Sequence, residues 1–308
     1  MATARTALFA RNTPGGIFTI DDIAEHPNNI WFVDSTHANA GVTVGHGTSP
    51  DSPFSTLSYA FSSDLMVAGD VCYVAPAHVE TLAAAAGIAS DIAGIKVIGL
   101  GWGAMRPTFS FSATDSTWTI SGANVVIKNI RVRSTVVELV NMFTVSAAGV
   151  TLDAVDVVDN TTNTIIQFLL TTAAADDLTI QNCEHHSLTV AAAAQLWIQL
   201  IGADRAKILN NWFDLKLKNA TSVYTIAATD TACLNMLIKG NVIHQVGGAT
   251  QTHFVNLVAG CTGVFADNYA AGDIDALVAS FELASLYAFQ NFAVVVVEKS
   301  GVLDPVIA

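Results

Sequence analysis

The sequence predicts an all-β fold, a single parallel β-helix solenoid, on three observations. A five-residue pattern recurs six times between Trp118 and Tyr269: Val126–Ile130, Thr151–Val155, Thr179–Cys183, Ile208–Trp212, Ile238–Val242 and Phe265–Tyr269. Aligned on Asn129, Ala154, Asn182, Asn211, Asn241 and Asn268, the copies follow at intervals of 25, 28, 29, 30 and 27 residues, inside the range that marks solenoids. The interval drifts. Helical repeats hold their length because both helices must pack, whereas β-helix coils accept extra residues in the turns between short strands. Each copy is also rich in Val, Ile, Thr and Leu, is broken by Gly, Asn, Asp or Ala-Ala, and carries no helical period longer than a turn or two. Asn at the shared position has a physical reason: it tolerates left-handed backbone angles, and its side chains can hydrogen-bond in a ladder from coil to coil. The expected ladder is Asn129, Asn182, Asn211, Asn241 and Asn268.

Taken in order, residues 1–30 read as an N-terminal arm with a turn at Pro14-Gly15-Gly16 and a short helix start at Asp21-Asp22. Ile30–Val33 is a strand, and a polar loop with His37 and His46 follows. The spacing of Phe54, Leu57, Ala60, Phe61 and Leu65 predicts an amphipathic helix near 54–68 that closes the open end of the solenoid. Gly69–Glu80 and Ile95–Gly103 read as the first coils, so the β-helix domain spans 31–272. The period is expected to stop after Tyr269. Residues 273–308 are apolar, with Phe281, Tyr287, Phe289 and Phe292 as candidate partner contacts, and read as a C-terminal cap or oligomerisation segment. Both terminal arms are expected to be ordered by contacts.

Composition narrows the function. A formal charge of −13 with only 13 Lys and Arg argues against phosphate-backbone recognition, so no nucleic-acid partner is expected. Mean hydropathy is high at +0.47, yet polar breaks interrupt every stretch long enough to span a bilayer, and no membrane partner is expected. The apolar excess fits filled coils and a buried subunit interface. Cys72, Cys183, Cys233 and Cys261 lack CxxC spacing and read as buried free thiols. The first twelve residues hold no apolar run of the secretory kind, so synthesis in the cytoplasm without export is expected.

At Gly69-Asp70, the alternating strand after it, and Pro76-Ala-His78-Val-Glu80, the chain resembles the right-handed parallel β-helix proteins of the pectate-lyase-like class. Phe32-Val-Asp34 and Pro53-Phe54 are similar to the opening of phage- and prophage-encoded members. The resemblance covers about residues 30–270. It implies a right-handed solenoid and, for members with such apolar tails, a homotrimer. The opening motif is architectural, so it implies little about activity.

The alignment makes a stacking prediction for the side chains that carry chemistry. Ile130, Val155, Cys183, Trp212, Val242 and Tyr269 are expected inward, and Arg131, Asp156 and Glu184, one step later, outward on successive coils about 4.8 Å apart. Asp156 and Glu184 then stand close to the separation of a retaining glycosidase pair, with one carboxyl as acid and the other as nucleophile; the bland reading is a surface charge ladder around an arginine. Lyase chemistry would need Ca²⁺ on Asp153, Asp156 and Asp159 with Arg131 or Arg133 as base, although Asp153 and Asp159 fall in turn-like places. In Glu184-His185-His186, His185 aligns with His244, about 9.6 Å away at two coil spacings and too far to share one zinc. Asp214 lies between them and can bridge, so a polar stack is expected at His185, Asp214 and His244. Gly99–Gly103 is a turn, since no helix follows it. No cofactor is expected.

Three functions remain. The first is a trimeric virion structural protein, decorating or cementing a phage capsid by contacts with the major capsid protein or another virion protein, with no enzymatic activity and with its function in residues 1–30 and 273–308. The second is a tailspike-like β-helix that binds or cleaves a host surface polysaccharide, a glycoside hydrolase or polysaccharide lyase if an enzyme. The third is a surface adhesion β-solenoid. Trp118, Trp197 and Trp212 all read as inward or at coil edges, which leaves the glycan groove thin. The first reading is the expectation.

Overall fold

A computed structural model describes residues 28–159, 165–188, 196–216, 223–246, 252–272 and 280–295. The N-terminal arm at 1–27, with its Pro14 turn, and the tail beyond Val295 lie outside the described residues. What is described is an all-β parallel solenoid whose strands fall into three sheets of ten, eight and nine strands. The first sheet runs from Ile30–Val33 through Val71–Val74, Lys96–Gly99, Val126–Lys128, Thr151–Asp153, Thr179–Gln181, Lys207–Leu209, Met236–Lys239 and Thr262–Ala266 to Ser285–Phe289. The second runs from Ile88–Ser90 to Phe281–Glu282. The third begins at Val79–Leu82 and ends at Phe292–Val295. From Val71 onward successive coils contribute one short strand to each sheet, and the inward positions form one continuous apolar column.

Aromatic rings follow one another along that column. His78 meets Phe109, then Trp118, Phe143, Phe168 and Trp197, with ring centroids 4.9 to 5.7 Å apart. Register pairing on successive coils accounts for Trp118–Phe143 and Phe168–Trp197, and the other steps join inward rings at different positions across the filled interior.

The helix at the open end is shorter than the sequence spacing predicts, Leu57–Ser62. Thr56 caps it by accepting from the Tyr59 N–H, and the Glu80 carboxylate accepts from the Leu57 and Ser58 N–H groups at 2.6 and 3.0 Å. Asp70 accepts from Trp31 Nε1, the Asn29 N–H and the Val67 N–H. The Gly-Asp and His-x-Glu pattern of the opening is thus accounted for by capping and tethering.

Two corrections concern the repeat. The Asn positions form two columns, not one. The in-register pairing of Lys128, Asp153, Gln181, Leu209, Lys239 and Ala266 places Asn129, Ala154, Asn182, Asn210, Gly240 and Asp267 together, all with φ between 54° and 70°. That is the left-handed corner, where Asn and Gly are at ease. Asn211, Asn241 and Asn268 stand one residue later, pointing inward and joined by Asn291. There each side-chain oxygen accepts from the coil before: Asn241 from the Asn211 N–H and Nδ2, Asn268 from those of Asn241, Asn291 from those of Asn268. Their amides also donate to Ile180, Ile208, Ile238 and Phe265 carbonyls. The ladder is real, but Asn129 and Asn182 are outside it.

The period also continues past Tyr269. Phe281–Glu282, Ser285–Phe289 and Phe292–Val295 add one further strand to each sheet. Its corner is Gln290 and its ladder residue Asn291, so the pattern persists where the Asp-Asn pair became Gln-Asn.

Candidate functional site

The third sheet carries the chemistry on its outer face. Two outward columns run along it, in register on successive strands. One holds Thr108, Arg131, Asp156, Glu184, Trp212, Val242, Tyr269 and Phe292; the other holds Ser110, Arg133, Val158, His186, Asp214, His244 and Ala271. Asp156 and Glu184 are direct partners, as the alignment predicts. Trp212 and Tyr269, expected inward, point outward and are 62% and 52% exposed. The reason is the one-residue offset at Asn211, Asn241 and Asn268: with Asn in the inward place, the residue after it turns to solvent.

Charge is concentrated at one stretch of this face. Arg131 donates from Nε and Nη2 to Asp156 Oδ2 at 2.7 and 2.6 Å. Arg106, buried against the same carboxylate, reaches Asp156 Oδ2 at 3.6 Å and Glu184 Oε1 at 3.8 Å, and its guanidinium lies 5.3 Å from the Trp102 ring centre. Trp102 is exposed. Arg133 donates to Ser110 Oγ at 2.8 Å. Asp156 is buried in these ion pairs, while the Glu184 side chain is exposed. Sequence reasoning missed Arg106, which sits in no repeat and is placed by the 3-10 turn Gly103–Met105.

The histidine stack is corrected by one residue. His186, not His185, shares the Asp214 carboxylate with His244: His186 Nδ1 meets Oδ2, and His244 Nδ1 meets Oδ1 at 2.6 Å. Both imidazoles are exposed and use Nδ1 for the carboxylate. That fixes each ring and leaves Nε2 free of this contact. His185 faces the core, stacked 4.3 Å from Trp197, with Nδ1 on the Val157 carbonyl and Nε2 on Ser187 Oγ. Burial pushes its pKa down to about 4.

The aspartates of the lyase alternative are dispersed. Asp153 ends a strand of the first sheet, tied to Lys128 and to the Asn182 amide. Asp156 is on the outer face of the third, and Asp159 is buried, its pKa pushed up to about 7 by burial. Among the described residues, no three His, Cys, Asp or Glu side chains are grouped to hold a metal.

At the N-terminal end a cleft of about 580 Å³ lies at the edge of this sheet, between Ser35, Ser55, Thr56, Ser58 and the edge strand Val79–Leu82. Hydroxyls and small side chains line it. At the other end Tyr269 stacks on Phe292, ring centres 5.1 Å apart and nearly coplanar. The candidate partner contacts divide: Phe281 is buried against Phe254 and Phe265 and is interior, Phe292 joins the outer face, and Tyr287 and Phe289 are exposed on the first sheet.

No protein-family model matches the chain, and no curated protein sequence matches it. Among solved structures, a rhamnogalacturonan lyase aligns at 13% identity over 90% of both chains with a TM-score of 0.46. A GH136 lacto-N-biosidase from Eubacterium ramulus aligns at 10% identity over 87% of this chain and 68% of its own, with a TM-score of 0.41.

Proposed function

We propose that this chain is a glycan-binding β-solenoid that holds an extended polysaccharide along the outer face of its third sheet. The observation that supports this most is Trp212. A large ring left 62% exposed on the outer face of the sheet, flanked by Glu184, His186 and Asp214, offers a flat apolar platform ringed by hydrogen-bonding groups. A pyranose needs both, one for its C–H face and one for its hydroxyls. Tyr269 lies two strands further on, roughly 9.6 Å along the axis, a second platform on the same track. Trp102 and the hydroxyl-lined cleft extend the track toward the other end. Asp156 is already held by two guanidinium groups, which favours binding over bond cleavage at the Asp156–Glu184 pair.

The test is a titration of the purified chain with a panel of neutral and acidic polysaccharides, followed by intrinsic fluorescence and affinity electrophoresis. Trp212→Ala is expected to lose at least about tenfold in affinity for the polysaccharide bound, about 1.4 kcal/mol, with folding stability changed by about 0.5 kcal/mol or less. Wild type that binds none of the panel sinks the reading. New reducing ends that appear with wild type and vanish in Glu184→Gln would make the face catalytic instead.

A second reading, self-association within a virion assembly, is favoured by Tyr287 and Phe289. They are 76% and 47% exposed, neighbouring outward positions on the last strand of the first sheet. Sedimentation of wild type against a Tyr287→Ser/Phe289→Ser variant tests it; a monomeric wild type removes the homotrimer.

A further inference from the structure

Cys233 and Cys261 occupy equivalent places on successive coils. The Thr262 N–H donates to the Cys233 carbonyl at 3.1 Å, the ladder bond that puts the two cysteines directly side by side. Adjacent parallel strands stand about 4.8 Å apart, inside the Cα separation a disulfide bridges. Both side chains are fully buried and turned to the same interior. The Cys233 N–H donates to Cys261 Sγ at 3.3 Å, and the two thiols hydrogen-bond each other.

We propose that Cys233 and Cys261 are a peroxide-oxidisable pair that closes a disulfide between neighbouring coils. Cys261 is the attacking sulfur. The Cys233 S–H and N–H both donate to it and hold its pKa down to about 7 despite burial. Burial, with nearby carboxylates adding to it, pushes the Cys183 thiol up to about 12 and raises that of Cys72, so these two are inert by comparison. The Cys261 thiolate attacks one oxygen of a hydroperoxide. An S–O bond forms, the O–O bond breaks, and the departing hydroxide takes a proton to leave as water. The sulfur is oxidised to a sulfenic acid and the peroxide is reduced. Cys233 sulfur then attacks the sulfenic sulfur, the S–S bond forms, the S–O bond breaks, and the Cys233 proton leaves with the hydroxide as a second water. Shielding of both sulfurs selects a water-sized oxidant over a bulky disulfide. The product ties together the coils that lead into the strands bearing His244 and Tyr269.

The experiment treats the reduced full chain with stoichiometric hydrogen peroxide near neutral pH, alkylates it in denaturant and maps the peptides without reduction. Of the four free thiols, Cys72 and Cys183 are expected to be alkylated and Cys233 and Cys261 to be recovered cross-linked, with a raised unfolding midpoint. Recovery of all four as alkylated thiols overturns the proposal, as does equal oxidation of Cys72 and Cys183. In Cys233→Ser the Cys261 sulfenic acid is expected to persist and, when the oxidised chain is unfolded in denaturant containing dimedone, to take the dimedone adduct. An unmodified Cys261 there overturns its role as the attacking sulfur.

Discussion

His185 and His186 are neighbours in the chain and lie on opposite faces of the third sheet. His185 is 2% exposed, sandwiched on Trp197 and held neutral by burial; His186 stands in solvent, oriented by Asp214. The same division separates the two Asn columns, one residue apart at the coil corner. Inside, the ladder amides pair from coil to coil and both His185 nitrogens have partners, so the chemistry there is structural. Outside, rings and carboxylates are left with unused valences, and these can serve a ligand. The period-2 strand makes this division absolute: a single step in register moves a side chain from one function to the other.

The strongest way to break the interior is at the centre of the ladder. Asn241→Ala removes the acceptor of the Asn211 N–H and Nδ2 and the donor to the Ile208 carbonyl and to Asn268 Oδ1. Each buried group left unpaired costs about 1–3 kcal/mol, so the variant is expected to lose at least about 3 kcal/mol in urea unfolding. A loss under about 1 kcal/mol would mean water replaces the amide and the ladder is not a closed interior network.

The next test uses two buried groups with opposite titrations. Burial lowers His185 from 6.5 to about 4, so in that window the unfolded chain binds a proton the folded chain refuses, and stability is lost as pH falls. Burial raises Asp159 from 3.8 to about 7, with a Leu188 backbone hydrogen bond offsetting part of it. Here the folded chain binds the extra proton, and stability is gained as pH falls through nearly the same window. In wild type the two oppose each other. Asp159→Asn is therefore expected to expose the His185 slope, losing of order 3 kcal/mol on acidification through that window, measured by unfolding at each pH. A variant as flat as wild type would show that one of these groups is not buried in solution.

The repeat made the fold legible from sequence, because a drifting interval of about 25–30 residues with β-branched strands has few other physical solutions. It also delivered the Asp156–Glu184 and Arg131–Asp156 pairings. What it hid was the corner. Asn210-Asn211 offers two asparagines for one alignment position, and choosing the second shifted Trp212, Val242 and Tyr269 to the wrong face and put His185 where His186 belongs. The signal that separates them was present: Gly240 and Asp267 precede the ladder residues as Asn210 does, and all three are residues that tolerate φ > 0. Arg106 was illegible for a different reason, since a turn outside the repeat places it. Phe281 and Phe292 were read as tail because one coil lacks the Val-Ile run of the others.

The smallest effect separates the two asparagine columns most sharply. Asn182 holds φ of 54° at an exposed corner, and its main side-chain bond is to Asp153. Ala154 occupies the same corner one coil earlier with φ of 55°, so the chain already accepts a side chain without the amide there. Asn182→Ala is thus expected to cost about 1 kcal/mol, the price of left-handed backbone for an L-residue without local hydrogen bonding, and Asn182→Gly less than about 0.5 kcal/mol. Asn211→Gly, one column inward, strands the Cys183 N–H that Asn211 Oδ1 accepts at 2.9 Å and is expected to cost several times more. Equal losses for Asn182→Gly and Asn211→Gly would erase the boundary between corner and ladder, and with it the register that places Trp212 on the outer face.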